Sequence, residues 1–542
     1  MTAQTNSLIS TGTDDKTPLY WKGSEQDIGY SDPQIQSALL DLNSPCYLIK
    51  DSQGIGAATS GQFTDSDNAG KNALAFAPAL PVENLGDPEF KKLHGCKYAY
   101  LAGSMAHGIS SKEMVIALGK AGFLASFGAG GIVPDQLEKI IQEIQNALPN
   151  GPYAFNLIHN PFAEAMEKSA VDLYLKYGVQ TVEASAFMDL TRYVVQYRAA
   201  GLCYDDQGNI EIKNKIIAKI SRREVALRFM EPAPDKFLKQ LLADGLITAT
   251  QAEIAAKVPM ADDITVEADS GGHTDNRPLV SLLPSMIALR NEIQEKHNYP
   301  QPIRIGAAGG IGTPESTLAA FIMGAAYVVT GSVNQGCVES GTSLHARKLL
   351  TEVGMADVTM APAFDMFEMG GKLQVVKRST LFPMRAKKLN DLYNSCKSIE
   401  EIPAEERKKL ETQLFKKDLD QIWQETVDYF QVRDPEQINK ALKNPRKKMA
   451  LIFRWYLGQA SHWANKGEKG REMDYQIWCG PSMGAFNDWV RGSYLEDYQQ
   501  RKSVDVAMNL LKGAAYLYRL QQLKNQQVWF PAKFSTYCPV PQ

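Results

Sequence analysis

Short apolar runs alternate with longer helical patterns over the middle of the chain, from about residue 95 to residue 345. The runs are rich in β-branched residues, and most of them end in small or polar residues. This alternation is expected of βα units whose strands form a buried parallel sheet. Eight runs are present, and eight strands close a (β/α)₈ TIM barrel. The runs are residues 96–103, 122–128, 152–158, 179–185, 215–221, 264–270, 303–308 and 326–331.

The pattern changes on both sides of this predicted barrel. Residues 1–90 are rich in Ser, Thr, Asp, Gly and Pro, with one short apolar stretch at 45–50, which predicts a small leader domain of mixed structure. Helical periodicity dominates the chain after about residue 345. We therefore predict an α/β fold in three parts: an N-terminal leader domain (1–90), a TIM barrel (91–345) and a mainly helical C-terminal domain (346–542).

One connection in the predicted barrel is longer than a crossover requires. Residues 229–260 lie between the fifth and sixth runs and contain two prolines and an amphipathic segment at 235–257. The βα loops and the active site of such barrels lie at the same end. We therefore expect this insertion to form a helical lid on the active-site side.

Composition and charge exclude several classes of protein. The 542 residues are 44% hydrophobic and 22% charged, as is typical of soluble globular proteins. A formal net charge of −3 gives no reason to expect a nucleic-acid partner. Seven dispersed cysteines without a Cys-x-x-Cys pair indicate neither a disulfide framework nor a metal site. Because the chain shows no signal-peptide pattern and no apolar run of about 18 residues, we expect a cytoplasmic protein without a membrane partner.

Two strand ends carry the glycine pattern of a phosphate site. The seventh run leads into Gly309, Gly310 and Ile311, and the eighth leads into Gly331 and Ser332. TIM barrels commonly bind phosphate with the loops after strands 7 and 8, where glycines let backbone N–H groups approach an anion. A bound phosphate monoester is therefore expected, and the alternative is that these glycines only serve tight βα turns.

The sixth run leads into Gly271, Gly272 and His273. The two glycines leave bare backbone against which a flat ring can lie. A lone histidine is more often structural, but one that follows two glycines at a strand end is exposed to the cavity and titrates near neutral pH. His273 is therefore the candidate catalytic residue.

The remaining strand ends supply amide, hydroxyl and ammonium groups suited to the edge of a heterocycle. The alternative for Asn156 and Ser185 is loop capping. Lys219 stands inside an apolar strand and needs a partner, which an anionic reduced flavin would provide. The candidate cofactor-binding residues at these ends are Gly103, Ser104, Met105, Asn156, Glu183, Ser185 and Lys219.

These motifs resemble those of a known family. The segments 270–273, 307–311 and 331–332 are similar to those of flavin-dependent nitronate monooxygenase-like barrels, which include FMN-containing enoyl-acyl-carrier-protein reductases. Longer motifs at 271–278, 365–370, 381–386 and 480–489 resemble the PfaD-type proteins. These are trans-acting enoyl reductases of bacterial polyunsaturated fatty acid synthases and related polyketide synthases.

The resemblance implies an enzyme that holds FMN, takes hydride from NADPH or NADH, and reduces the 2,3 double bond of an enoyl thioester on an acyl carrier protein domain. It implies that His273 lies near the flavin and the substrate carbonyl, either as proton donor or as polarising group. Basic runs at 387–388, 407–409 and 446–448 are candidates for docking the carrier protein, or else solvated helix faces. A homodimer is left open.

Three other interpretations stay open. A nitronate monooxygenase would share the barrel and the flavin, but it would not need a helical appendage of nearly two hundred residues. An IMP-dehydrogenase-like barrel needs a nucleophilic cysteine in the loop after strand six, where this chain has none. The third interpretation is a catalytically silent barrel that scaffolds a synthase complex.

Overall fold

The computed structural model describes residues 10–11, 19–64, 70–160 and 164–542, so part of the predicted leader domain lies outside the described residues. The strands are β1 Ser10–Thr11, β2 Leu19–Lys22, β3 Cys46–Asp51, β4 Gly54–Ala58, β5 Gln62–Thr64, β6 Lys71–Ala77, β7 Tyr100–Ala102, β8 Leu124–Phe127, β9 Ala154–Ile158, β10 Thr181–Ser185, β11 Leu202–Tyr204, β12 Ile210–Ile212, β13 Lys215–Ile220, β14 Asp263–Glu267, β15 Gly272–His273, β16 Arg304–Ala308, β17 Val328–Thr330, β18 Val358–Pro362, β19 Lys372–Val376 and β20 Val528–Trp529. The α-helices are α1 Asp32–Leu40, α2 Pro88–His94, α3 Lys112–Lys120, α4 Pro134–Ala147, α5 Glu164–Lys176, α6 Arg192–Ala200, α7 Arg223–Met230, α8 Asp235–Ala243, α9 Ala249–Ala255, α10 Leu279–His297, α11 Pro314–Ile322, α12 Ser332–Gln335, α13 Leu344–Thr351, α14 Phe382–Ser395, α15 Ala404–Lys409, α16 Leu419–Arg433, α17 Pro435–Lys443, α18 Pro445–Lys466, α19 Ser482–Val490 and α20 Ser503–Lys524.

The predicted barrel is confirmed. The strands β7, β8, β9, β10, β13, β14, β16 and β17 pair in parallel around a closed ring, and β17 pairs with β7 to complete it. Each predicted run overlaps one of these strands. Strands such as β8 and β10 are buried at every position, as expected of a sheet enclosed between an inner core and an outer layer of helices. The C-terminal ends of all eight strands therefore meet at one mouth.

The two ends of the chain are held together beside the barrel. The leader region is a five-stranded antiparallel sheet in the order β4-β3-β6-β2-β5, and the last helix, α20, packs against both this region and α11 of the barrel. Arg519 of α20 is fully buried and donates hydrogen bonds to the carbonyl oxygens of Ala38, Leu39, Asp41 and Ser44, at 2.7 to 3.3 Å. The domain boundaries at residues 90 and 345 stay predictions.

The insertion between β13 and β14 is helical, but the prediction that it forms a lid over the mouth was wrong. Helices α8 and α9 pack against α6 and the β11–β12 hairpin on the flank of the barrel. The N–H of Asp262, where the insertion returns to β14, donates to the carbonyl of Ile216 near the start of β13. The insertion follows α7, which has already carried the chain from the mouth to the opposite end of the barrel, so the insertion begins far from the βα loops.

Parts of the C-terminal region cover the mouth instead. β15, in the loop after β14, joins β19 and β18 in a three-stranded antiparallel sheet. An isolated β-bridge between Val375 and Trp478 extends this sheet. In the described part of the chain, no helix is both long and apolar enough to cross a membrane.

Candidate active site at the barrel mouth

The loops after β16 and β17 form a glycine-lined recess at the mouth. Gly309 and Gly310 have φ angles of 83° and 76°, which other residues rarely adopt. A Cβ on Gly309 would lie 2.6 Å from the carbonyl carbon of Ala268, so only glycine lets this turn pass the end of β14. A Cβ on Gly310 or Gly331 would meet no atom within 4 Å. These two glycines therefore face open space.

Main-chain donors are available in this recess. Among the described residues, no hydrogen-bond partner is found for the N–H groups of Gly309, Gly310, Ile311, Gly331 and Ser332. The side chain of Ile311 is buried, so only its backbone N–H is available to the recess. Helix α11 begins just after the first loop, and its N-terminus adds a partial positive charge. The residues predicted to bind phosphate are thus brought together in an arrangement that suits an anion.

Lys219 of β13 is a fixed cation at the mouth. Its Nζ lies 3.6 Å from Oε1 of Glu267 on one neighbouring strand, and Glu183 lies on the other neighbouring strand. Burial alone would lower the pKa of the Lys219 ammonium, but the carboxylates of Glu267 and Glu183 outweigh it and raise that pKa. The ammonium of Lys219 therefore stays charged at the mouth of the barrel.

The predicted residues on β9 and β10 form a hydrogen-bond network with the loop after β7. The amide nitrogen of Asn156 donates to Ser185 Oγ at 2.8 Å and to the carbonyl of Glu183 at 3.0 Å. Glu183 is fully buried, and its Oε2 accepts a hydrogen bond from the N–H of Ser104 at 2.7 Å. Within the described part of the chain its Oε1 has no partner. The buried carboxylate of Glu183 therefore holds the loop after β7 in position.

Ser110 tightens the same loop. Its Oγ accepts a hydrogen bond from the N–H of Met105 at 2.5 Å and donates to the carbonyl of Gly103 at 3.2 Å. The N–H of Gly103 donates to the carbonyl of Thr330 at the end of β17. The backbone of Gly103, Ser104 and Met105 is thus held at the mouth, beside the loop after β17.

His273 lies at the mouth and is hydrogen-bonded to Asp365 of the C-terminal region. The distance from Nε2 to Oδ1 is 3.0 Å, and the His273 side chain is 40% exposed. Burial alone would lower the pKa of the imidazole, but the hydrogen bond and charge of Asp365, with the charge of Glu267, outweigh it and raise that pKa. Burial alone would raise the pKa of Asp365, but the hydrogen bond and charge of His273 outweigh it and hold that pKa below its ordinary value. The imidazolium therefore persists to higher pH than in a free histidine.

We expect Asp365→Asn to lower the pKa of His273. The charged form of His273 contributes stability that is present below the unfolded-state pKa and is lost as pH rises through the raised folded-state pKa. Without the carboxylate charge, this loss should occur at lower pH. NMR titration of labelled histidines measures the shift, with the exposed Asp391→Asn as a control. An unchanged His273 pKa in Asp365→Asn would contradict the coupling.

The segment from Trp478 to Met483 closes over the mouth, a role that the sequence pattern did not indicate. The N–H of Gly480 donates to Ser332 Oγ at 3.0 Å. A Cβ on Gly312 would lie 2.4 Å from the carbonyl oxygen of Ser482. The segment therefore packs directly against both loops of the glycine-lined recess.

The same segment covers the two glycines that precede His273. A Cβ on Gly271 would lie 2.8 Å from the backbone of Cys479, and one on Gly272 would lie 3.8 Å from the ring of Trp478. The glycine at 271 is thus required for the close approach of the C-terminal segment. The C-terminal segment therefore covers the backbone of Gly271 on the side that faces Cys479, whereas the sequence predicted a bare backbone there.

Gln374 of β19 completes the cover. Its Nε2 donates to Oδ1 of Asp269 and to the carbonyl of Ser270, both at 2.7 Å. Of the residues that the sequence missed, Asp365 and Gly480 lie in the motifs at 365–370 and 480–489, whereas Gln374 and Trp478 lie outside both motifs. Both motifs supported the family resemblance, but the helical pattern around them predicted an appendage and not a cover of the site.

Residues of the C-terminal basic runs make contacts typical of helix faces. Lys447 lies 2.7 Å from Glu368, and the guanidinium of Arg446 lies 4.7 Å from the ring centre of Tyr393. These contacts stabilise packing between helices. Docking of a carrier protein on these runs stays a prediction.

Comparison with known protein families gives three matches. The nitronate monooxygenase family matches residues 87–423. The N-terminal domain of fatty acid synthase subunit PfaD matches residues 21–79, and the inserted helical domain of [acyl-carrier-protein] S-malonyltransferase matches residues 396–475. The matches together extend from the leader sheet to the helices beyond the barrel.

Individual relatives are similar over most of the chain. A polyunsaturated fatty acid synthase subunit of Thraustochytrium sp. is 47% identical over 91% of this chain and 33% of its own length. Polyketide biosynthesis protein PksE of Bacillus subtilis is 45% identical over 81% of this chain and 57% of its own length. The chain thus spans only part of these curated relatives. In a solved structure, the enoyl reductase domain of MlnA from the macrolactin biosynthesis cluster of Bacillus amyloliquefaciens is 40% identical, with a TM-score of 0.78, over 82% of this chain and 100% of that chain.

Proposed function

The chain belongs to the PfaD-type enoyl reductases within the nitronate monooxygenase-like barrels, and on that premise we propose that it is an FMN-dependent reductase of enoyl thioesters on acyl carrier protein domains. The proposed reaction reduces the 2,3 double bond with NADPH or NADH during polyunsaturated fatty acid synthesis. The observation that carries this proposal is the 40% identity to an enoyl reductase domain over that domain's whole length.

Two features of the barrel mouth support FMN as the cofactor. The open space at Gly310 and Gly331, beside unpaired N–H groups, suits the phosphate. Asn156, Ser185 and Lys219 are the residues that would hold the ring. When bound, the flavin would supply hydride transfer from the reduced nicotinamide to the β-carbon of the enoyl thioester.

His273 would serve the other half of the reduction, the proton. Its Nε2 is engaged by Asp365, so Nδ1 is the ring nitrogen left to meet a substrate. The raised pKa keeps the imidazole protonated to higher pH, and in that form it can donate a proton to the α-carbon or hydrogen-bond to the thioester carbonyl. The backbone of His273 is held in place by β19, since β15 pairs His273 with Leu373.

Absorbance spectra of the purified full chain under anaerobic conditions test this function. We expect flavin bands that bleach on addition of NADPH and return on addition of a crotonyl thioester. Bands that return only with oxygen would support a nitronate monooxygenase instead. A colourless protein would support the silent scaffold.

A further inference from the structure

A separate cavity lies at the rim of the mouth, between the end of β13 and the loop after β14. Its volume is about 340 Å³, which lies within the range of small-molecule sites. The lining residues are Ser221, Arg222, Arg223, Glu224, Asp275 and Arg277. Three guanidinium groups and two carboxylates line the cavity, and a third carboxylate, that of Glu292, pairs with Arg223 from outside it.

Arg222 is held in place by Asp275. Its Nε and Nη2 each donate to the carboxylate at 3.0 Å, and Ser221 Oγ donates to the same group at 2.6 Å. The hydrogen bond from Arg222 lowers the pKa of Asp275, so this carboxylate is ionised and fully engaged. Within the described residues, Nη1 of Arg222 has no partner and remains a donor for the cavity.

Arg223, the first residue of α7, is held from outside the cavity. Its Nη2 donates to both oxygens of Glu292 at 2.7 and 2.8 Å, and its Nη1 donates to the carbonyl of Ser285 at 2.9 Å. Both partners belong to α10 and are absent from the cavity lining. Glu292 thus orients the guanidinium of Arg223 from α10, and the Glu292 carboxylate itself lies outside the cavity lining.

Arg277 supplies the third cation. Its side chain is exposed, and in the described chain no hydrogen bond or ion pair engages its guanidinium. Its carbonyl accepts a hydrogen bond from the N–H of Asp269 at 2.9 Å, which fixes the backbone four residues after His273. Arg277 therefore lines the cavity with a guanidinium that has no hydrogen-bond or ion-pair partner among the described residues.

We propose that this cavity binds an organic phosphate carried by one of the two reactants. The proposal rests on the proposed function, in which both reactants bring such a group: the reduced nicotinamide dinucleotide and the phosphopantetheine arm of the carrier protein. Guanidinium forks bind phosphate with paired, charge-assisted hydrogen bonds. A phosphate at the rim leaves the reactive end of either reactant free to enter the mouth beside His273.

Calorimetric titration of the full chain with two probes tests the proposal. The probes are adenosine 2′,5′-bisphosphate, for the dinucleotide, and 4′-phosphopantetheine, for the carrier arm. We expect one of them to bind, with affinity reduced by about tenfold or more in Arg277→Ala and less in Arg277→Lys, which keeps the charge but not the fork. The matched control is Arg228→Ala on the same helix as Arg223, since Arg228 faces Asp189 and lies outside the cavity lining.

The probe that loses affinity in Arg277→Ala identifies the source of the phosphate. Binding of neither probe to the wild type, or equal binding to wild type and Arg277→Ala, overturns the proposal. The anaerobic bleaching assay is run on the same proteins. If the cavity proposal alone fails, bleaching and its reversal by a thioester persist, whereas failure of the proposed function removes them and leaves probe binding measurable.

Discussion

Replacing His273 with alanine should lower kcat for enoyl thioester reduction by on the order of 10² to 10⁴. The imidazole is at the mouth, has its pKa raised by Asp365 against the effect of burial, and has Nδ1 free to meet the substrate. Bleaching of the flavin by NADPH should persist, because that step needs no proton from His273. Stopped-flow absorbance separates this step from reoxidation by the thioester.

A second substitution distinguishes the two roles open to His273. His273→Gln keeps a hydrogen-bond donor that can polarise the carbonyl but cannot donate a proton. Activity near the wild-type level in this variant would support polarisation, and activity as low as in His273→Ala would support proton donation. His297→Ala is the control, because His297 pairs with Glu231 at the opposite end of the barrel. Unchanged kcat in His273→Ala would contradict any catalytic role.

Gly310→Ala should produce a folded protein that purifies without flavin. The residue has a φ of 76°, and a Cβ there would meet no protein atom within 4 Å, so the methyl group would stand in the space proposed for the phosphate. The backbone strain should cost about 1 kcal/mol. The ratio of flavin to protein absorbance measures cofactor content, and thermal unfolding measures the strain.

Gly208→Ala is the matched control for this prediction. Gly208 has a φ of 82° and equally open surroundings, but it lies in the turn of the β11–β12 hairpin, away from the mouth. The two variants should lose similar stability, and only Gly310→Ala should lose flavin. Equal flavin content in both would contradict the assignment of the recess to the phosphate.

The sequence by itself determined the barrel and the residue types that end its strands. Burial of a strand in a parallel sheet leaves a local pattern, a short apolar run that ends in small or polar residues, and each of the eight runs could be recognised without knowledge of its partners. The glycines at 309 and 310 were also visible locally, because tight turns and close backbone approach need that residue type.

Only the tertiary structure decided what surrounds the mouth. Amphipathicity showed that 235–257 buries one face, but not that this face packs against α6 on the flank of the barrel, away from the active site. Asp365 is 92 residues from His273 in the chain, and Gly480 is 148 residues from Ser332. Such pairs leave no spacing or periodicity in the sequence, because contacts between distant segments are set by how whole elements pack. The partner of the candidate catalytic histidine and the cover of its site therefore emerged only from the folded chain.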